Sequence, residues 1–132
     1  MTASKKEEQG CPCGSTRSLA SCCQGIINGK RSASSAEELM RSRYTAYALN
    51  DPDYLLLSWS PAHRPSSLSL DQAQHWLGLK IIETTLGEAG DETGTVEFVA
   101  RFKIGGRAHR LHEVSQFMKI DGLWVYSSGE LI

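Results

Sequence analysis

The chain has 132 residues, with 14 Lys and Arg against 15 Asp and Glu and a formal net charge of −1. That length supports one domain with a single core, and the near-neutral balance argues against a dedicated nucleic-acid binder, which carries a strong basic excess. No apolar run reaches the ~20 residues that span a bilayer, and Met1 to Gly10 lacks a signal peptide's charged-then-apolar order, so the expected compartment is the cytoplasm.

The first ten residues are rich in Lys, Glu, Ser and Gln and are expected to be a disordered tail. All four cysteines follow within one short stretch, Cys11-Pro12-Cys13-Gly14-Ser15 and Cys22-Cys23. Four soft ligands in so short a span suit one tetrahedral zinc ion, and a reducing cytoplasm keeps thiols free for metal. Four thiolates leave no open position, so the ion is expected to be structural rather than catalytic. Ordinary buried or redox-active thiols, a strained disulfide between Cys22 and Cys23, and an iron–sulfur cluster are the competing readings. The knuckle is assigned to residues 11–30, with a helical turn over Arg17 to Ser21 and a loop marked by Gly25, Asn28 and Gly29. Arg17, Lys30 and Arg31 give it a local positive patch.

The body is assigned to residues 31–132. Ser35 with Glu38, or Ser34 with Glu37, fits a capping box, which starts a helix carrying Met40, Tyr44, Tyr47 and Ala48 on one face. Arg41 and Arg43 are two apart, so at most one of them points inward. Asp51 and Pro52 cap and open a second helix through Tyr54, Leu55 and Leu57, which ends before Pro61. A third short helix is expected from Ser69, with Gln72 completing a second capping box, Leu70, Ala73, Trp76 and Leu77 as its buried side and Gly78 closing it.

The period then changes to alternation over Leu79 to Glu88, Gly94 to Ile104, Arg107 to Ile120 and Leu123 to Ser127. Short turns at Gly90 to Gly94, Gly105-Gly106 and Asp121-Gly122 predict an antiparallel meander. Val96, Phe98, Ala100, Phe102 and Ile104 share one strand face. Helices followed by four strands give an α+β domain with the helices packed on one side of a curved four-stranded antiparallel sheet.

The cysteine stretch resembles the SEC-C motif, a zinc-binding knuckle also found at the C-terminus of the preprotein-translocase motor ATPase. The body resembles the YchJ-like family of small bacterial proteins through Leu39-Met40-Arg41-Ser42-Arg43-Tyr44 with Tyr47, Asp53-Tyr54-Leu55-Leu56 with Trp59, Trp76-Leu77-Gly78-Leu79, Gly94 to Ala100, and Leu111-His112-Glu113 with Ser115 and Phe117. The resemblance implies a SEC-C knuckle on a body like nuclear transport factor 2, a cone of helices closed by a bent sheet. It supplies no reaction.

Two readings of function follow. In the first, the protein is a zinc-binding protein-interaction module that docks through its knuckle to a protein partner. In the second, it is a small-molecule binder or enzyme using a cavity lined by Tyr44, Tyr47, Trp59, Arg101 and Glu113, where Arg101 and Glu113 would form an acid–base or anchoring pair. Against the second stand a filled core and a cross-strand salt bridge on a solvated face. No Ser-His-Asp order and no phosphate-cradling glycine motif are present, which points away from those enzyme classes. His63, between prolines, reads as a surface residue. An exposed sheet face leaves room for a homodimer.

Overall fold

The computed structural model describes residues 9–132. The expected tail therefore lies outside the described residues, apart from Gln9 and Gly10. Those two are tied to the knuckle: the Leu19 amide donates to the Gln9 carbonyl at 2.7 Å, and Gly10 forms an antiparallel bridge with Ser18.

Among the described residues, three helices precede four strands. They are α1 (Cys23–Ile27), α2 (Ala36–Ala48), α3 (Pro52–Leu57), β1 (Gln74–Leu86), β2 (Thr93–Ile104), β3 (Arg107–Ile120) and β4 (Leu123–Leu131). Helix α2 begins where the capping residues place it: Ser35 Oγ accepts from the Glu38 amide at 3.1 Å, and Glu38 reaches back to the Ser34 amide at 2.7 Å. Asp51 Oδ1 caps α3 by accepting from the Tyr54 amide at 3.1 Å, and Pro52 occupies the first turn, where its missing N–H costs nothing.

The sheet is a meander of order β1-β2-β3-β4, every neighbouring pair antiparallel. Irregularities at Trp76/Gly78 and Ile81/Glu83 on β1 and at Gln116/Phe117 on β3 interrupt the ladder, a device that bends a sheet. Helix α2 packs on β1, β2 and β4. The α3 end is held to β4, where the Ser60 amide donates to the Tyr126 carbonyl at 2.7 Å and the Tyr126 amide to the Ser58 carbonyl at 2.8 Å.

The expected third helix is not formed. Residues 69–73 are irregular, and Gln74 to Gly78 already belong to β1. Trp76 lies opposite Phe102 in the ladder, and its ring meets Phe102, Tyr44 and Tyr47 at centroid distances of 5.1, 5.6 and 5.6 Å. Those aromatic contacts and eleven registered pairs along β1–β2 outweigh a capping signal worth about 1 kcal/mol. Strand β4 also continues past Ser127, with Gly129 and Leu131 paired to Ser115 and Glu113.

The main core joins Leu39, Met40 and Tyr44 of α2 to Val96, Phe98, Ala100, Phe117 and Trp124 of the sheet, and all four cysteines belong to the same buried cluster. The knuckle is thus built into the core of the body rather than appended to it. A smaller cluster of Ile26, Ala46, Tyr54 and Leu55 lies between α1, α2 and α3.

Candidate functional site

Two arrangements concentrate chemistry: the cysteine cluster and a cavity between α2 and the sheet. In the cluster, local backbone bonds set the cysteine positions. The Cys11 amide donates to the Arg17 carbonyl at 3.0 Å and the Gly14 amide to the Cys11 carbonyl at 3.2 Å. Gly14 has a φ of 81°, so the turn over the first ligand pair needs a residue free of a Cβ penalty. The Cys22 amide closes on the Leu19 carbonyl at 3.1 Å and presents the second pair at the start of α1.

The four sulfurs all lie within 4.8 Å of one another and every cysteine is buried. Cys13 to Cys22 and Cys22 to Cys23 sulfur distances are 3.7 and 3.9 Å. Four sulfurs in a tetrahedron with metal–sulfur bonds of about 2.3 Å would be about 3.8 Å apart, close to the two shortest separations here, so the donor set is consistent with a tetrahedral metal ion. No disulfide joins any of them. Around the sulfurs, Ser15 Oγ lies 3.1 Å and Arg17 Nη2 3.9 Å from Cys22 Sγ, and Thr45 Oγ1 lies 3.6 Å from Cys11 Sγ. Such outer contacts orient thiolates and offset their charge.

The thiols do not ionise alike. The Cys13 thiol is pulled down to about 4, chiefly by the hydrogen bond from Cys23, with burial opposing. Cys23 is pushed far up by donating that bond and by burial, and Cys22 is pushed up chiefly by burial. One thiolate is therefore welcome and further ones are resisted, a resistance that a cation at the centre removes.

The basic patch divides. Arg17 and Lys30 are exposed. Arg31 is exposed as well, but it staples the knuckle to α2, with Nη2 donating to the Cys22 carbonyl at 2.9 Å and Nη1 paired to Glu38 Oε2 at 3.0 Å. Arg41 does the same from α2 by donating to the Cys13 carbonyl.

The cavity encloses about 280 Å³ and is lined by α2, Trp59 and the inner face of the sheet. Tyr44, Tyr47, Trp59 and Glu113 all border it. Arg101 does not. Its ladder partner is Arg110, whereas Glu113 faces Phe98 three pairs away, so the two side chains emerge on opposite faces of the sheet. The solvated cross-strand pair is also made by other residues, with His112 Nε2 at 2.7 Å from Glu97 Oε2.

The cation that the cavity does contain is Arg43. It is 4% exposed and comes from the same α2 face as Met40 and Tyr47. Its Nη1 donates to the Leu55 carbonyl and to Ser58 Oγ, both at 2.7 Å, and its guanidinium lies 4.5 Å from the Tyr126 ring centroid and 5.3 Å from that of Trp59. Burial lowers its pKa. Sequence reasoning left Arg43 undecided against Arg41; its spacing of three from Met40 and four from Tyr47 was the available signal. Ser115 and Tyr126 complete the polar wall, with Ser115 Oγ donating to Glu113 Oε2 at 2.8 Å and Tyr126 pushed up to about 12, chiefly by burial.

A family model described as the middle, nuclear transport factor 2-like domain of YchJ matches residues 35–129. The chain belongs to the YchJ-like family. A UPF0225 protein from Chromobacterium violaceum is 46% identical over 98% of both chains, and one from Streptomyces coelicolor is 45% identical over 92% of this chain and 95% of its own. The solution structure of a SEC-C motif containing protein from Rhodopseudomonas palustris superposes with a TM-score of 0.81 at 38% identity, covering 94% of this chain and 99% of that one. The crystal structure of another, from Psychrobacter arcticus, gives 0.76 at 28% identity, covering 91% and 81%. The YchJ-like body and the SEC-C cysteine cluster therefore occur together in solved proteins of the same fold. No helix among the described residues is long and apolar enough to cross a membrane.

Proposed function

We propose that this YchJ-like protein binds a small molecule in the cavity between α2 and the sheet, and that a structural zinc ion held by Cys11, Cys13, Cys22 and Cys23 fixes the knuckle against that cavity's roof. The observation that carries the reading is Arg43: a buried guanidinium in the wall of an open cavity of about 280 Å³, with no carboxylate among the described residues paired to it. Buried charges are ordinarily paired, and convergent polar groups in an apolar pocket are the common form of a ligand site. Zinc is favoured by the all-sulfur donor set, the buried sulfurs and the absence of an open position, and a reducing cytoplasm would keep the thiols available.

Docking of a protein partner through the knuckle has narrower support, since Arg31, although exposed, and Arg41 already spend their hydrogen bonds within the chain, on the Cys22 carbonyl and Glu38 and on the Cys13 carbonyl and Glu37. The cavity reading is tested by NMR with a library of small fragments, following the indole resonances. Fragments that bind are expected to move Trp59 and Trp76, which line the cavity, and to leave Trp124 in place. A library in which no member perturbs the two wall tryptophans selectively would refute it. Metal analysis of the purified protein is expected to find one equivalent of zinc.

A further inference from the structure

We infer that the ligand is a small carboxylic acid carrying a hydroxyl or amine donor at its other end, with its carboxylate taken by Arg43 and its donor by Glu113. The inference rests on the reading of the cavity as a small-molecule site and adds the chemical class.

Both hydrogen bonds of Arg43 leave from Nη1, so its remaining N–H groups have no protein acceptor among the described residues. The guanidinium carbon lies over both the Tyr126 and the Trp59 rings, cation–π contacts that hold the group in place. An end of the cavity rich in oriented donors and short of acceptors suits a planar carboxylate, which an arginine fork can grip with two bonds.

Glu113 sets the opposite requirement. Its carboxylate accepts from Ser115 and pairs with no cation among the described residues. Room for it is created by Gly129, where a Cβ would come 2.7 Å from Glu113 Cδ and 2.8 Å from Tyr126 Oη. Tyr126 thus spans the two charges, its ring on Arg43 and its hydroxyl beside the glycine that seats Glu113. The ligand would lie between them, over the apolar floor of Phe98, Ala100 and Leu111. Glu113 also disfavours a dianion such as a phosphate monoester, since like charges brought together in an apolar-walled cavity repel.

The test is titration calorimetry on the full, metal-loaded chain with 4-hydroxybenzoate, its methyl ester and benzoate. The acid is expected to bind at least about tenfold tighter than the ester and several-fold tighter than benzoate. Glu113→Gln should erase the preference over benzoate, and Arg43→Lys, which keeps charge in the core but loses the fork, should weaken the acid while leaving the ester unchanged. An ester bound as tightly as the acid overturns the carboxylate assignment and leaves the cavity a ligand site. No binding of any probe up to about 10 mM, where even a 1 mM site is nearly filled, overturns both.

Discussion

Arg41 Nη1 donates to the carbonyl of Cys13 at 2.7 Å while its Nε holds Glu37 Oε2 at 3.0 Å, so a single side chain links the cysteine cluster to the first turns of α2. Arg31 makes the equivalent link from the other ligand pair, through the Cys22 carbonyl to Glu38. The knuckle is therefore fastened to the helix that carries Met40, Arg43, Tyr44 and Tyr47 into the cavity.

Arg41→Met should cost about 1–2 kcal/mol, since a charged donor to a half-buried carbonyl is lost, whereas Glu37→Gln should cost well under 1 kcal/mol because that pair is partly exposed. Urea unfolding of the metal-loaded protein measures both. Equal losses would mean that the ion pair, not the bond to Cys13, is what matters.

Removing metal should destabilise the whole domain and not the N-terminus alone, because the sulfurs belong to the main core. With free zinc about a thousandfold above its dissociation constant, linkage predicts a gain of ~4 kcal/mol, or a melting temperature higher by about 10 °C or more for a chain of this size. Calorimetry with and without chelator should show one transition that moves as a unit. A separate low-temperature transition with an unmoved main peak would place the knuckle outside the core.

Gly94→Ala should destabilise by about 2 kcal/mol or more, as a mutation that forces backbone apart. Its Cβ would lie 2.7 Å from the Gly87 amide nitrogen, and the Gly87 carbonyl accepts from the Ala36 amide at 2.9 Å, so the clash propagates to the start of α2. Gly90→Ala, where a Cβ meets open space, is the control and should be near neutral. Thermal melts of the pair decide it.

Glu38 carries a pH signature. Burial pushes its carboxyl up, but the Ser34 amide, Arg31 and the Ser34 hydroxyl together outweigh that and hold it below the usual range. A folded pKa below the unfolded one means that the stabilisation is present above the unfolded value, near 4.3, and is lost as pH falls through the folded value. The stability difference between wild type and Glu38→Gln, measured by denaturation from pH 7 down to pH 3, should therefore shrink towards the acid end. A difference that stays constant over that range would exclude the linkage.

Much of the fold could be read before the structure because its signals were local. Ser35 and Asp51 cap the helices that follow them, and the alternation of Val96, Phe98, Ala100 and Phe102 identified the inner face of β2. The misreading at Ser69 to Gly78 has a physical origin: Leu70, Ala73, Trp76 and Leu77 are spaced as on a helix, while the partners that decide the issue, Phe102 and Tyr44, are remote in sequence. Arg101 failed for the same reason. Its own strand already set it apart from the apolar face, and only the register against β3 shows that Glu113 emerges on the other side. The grouping of the four cysteines was legible from spacing alone, but its immersion in the core was not, since nothing in residues 11–30 announces Met40, Phe98 and Phe117 as members of the same buried cluster.

That immersion governs how the chain can be divided. A fragment starting after the knuckle would keep every strand and the two longer helices, yet it would present to solvent the apolar surface of α2 and the sheet that the sulfurs now cover. It should be recovered as aggregate or as a partner-seeking species, so a domain boundary drawn at the end of the motif would separate two halves of one folding unit.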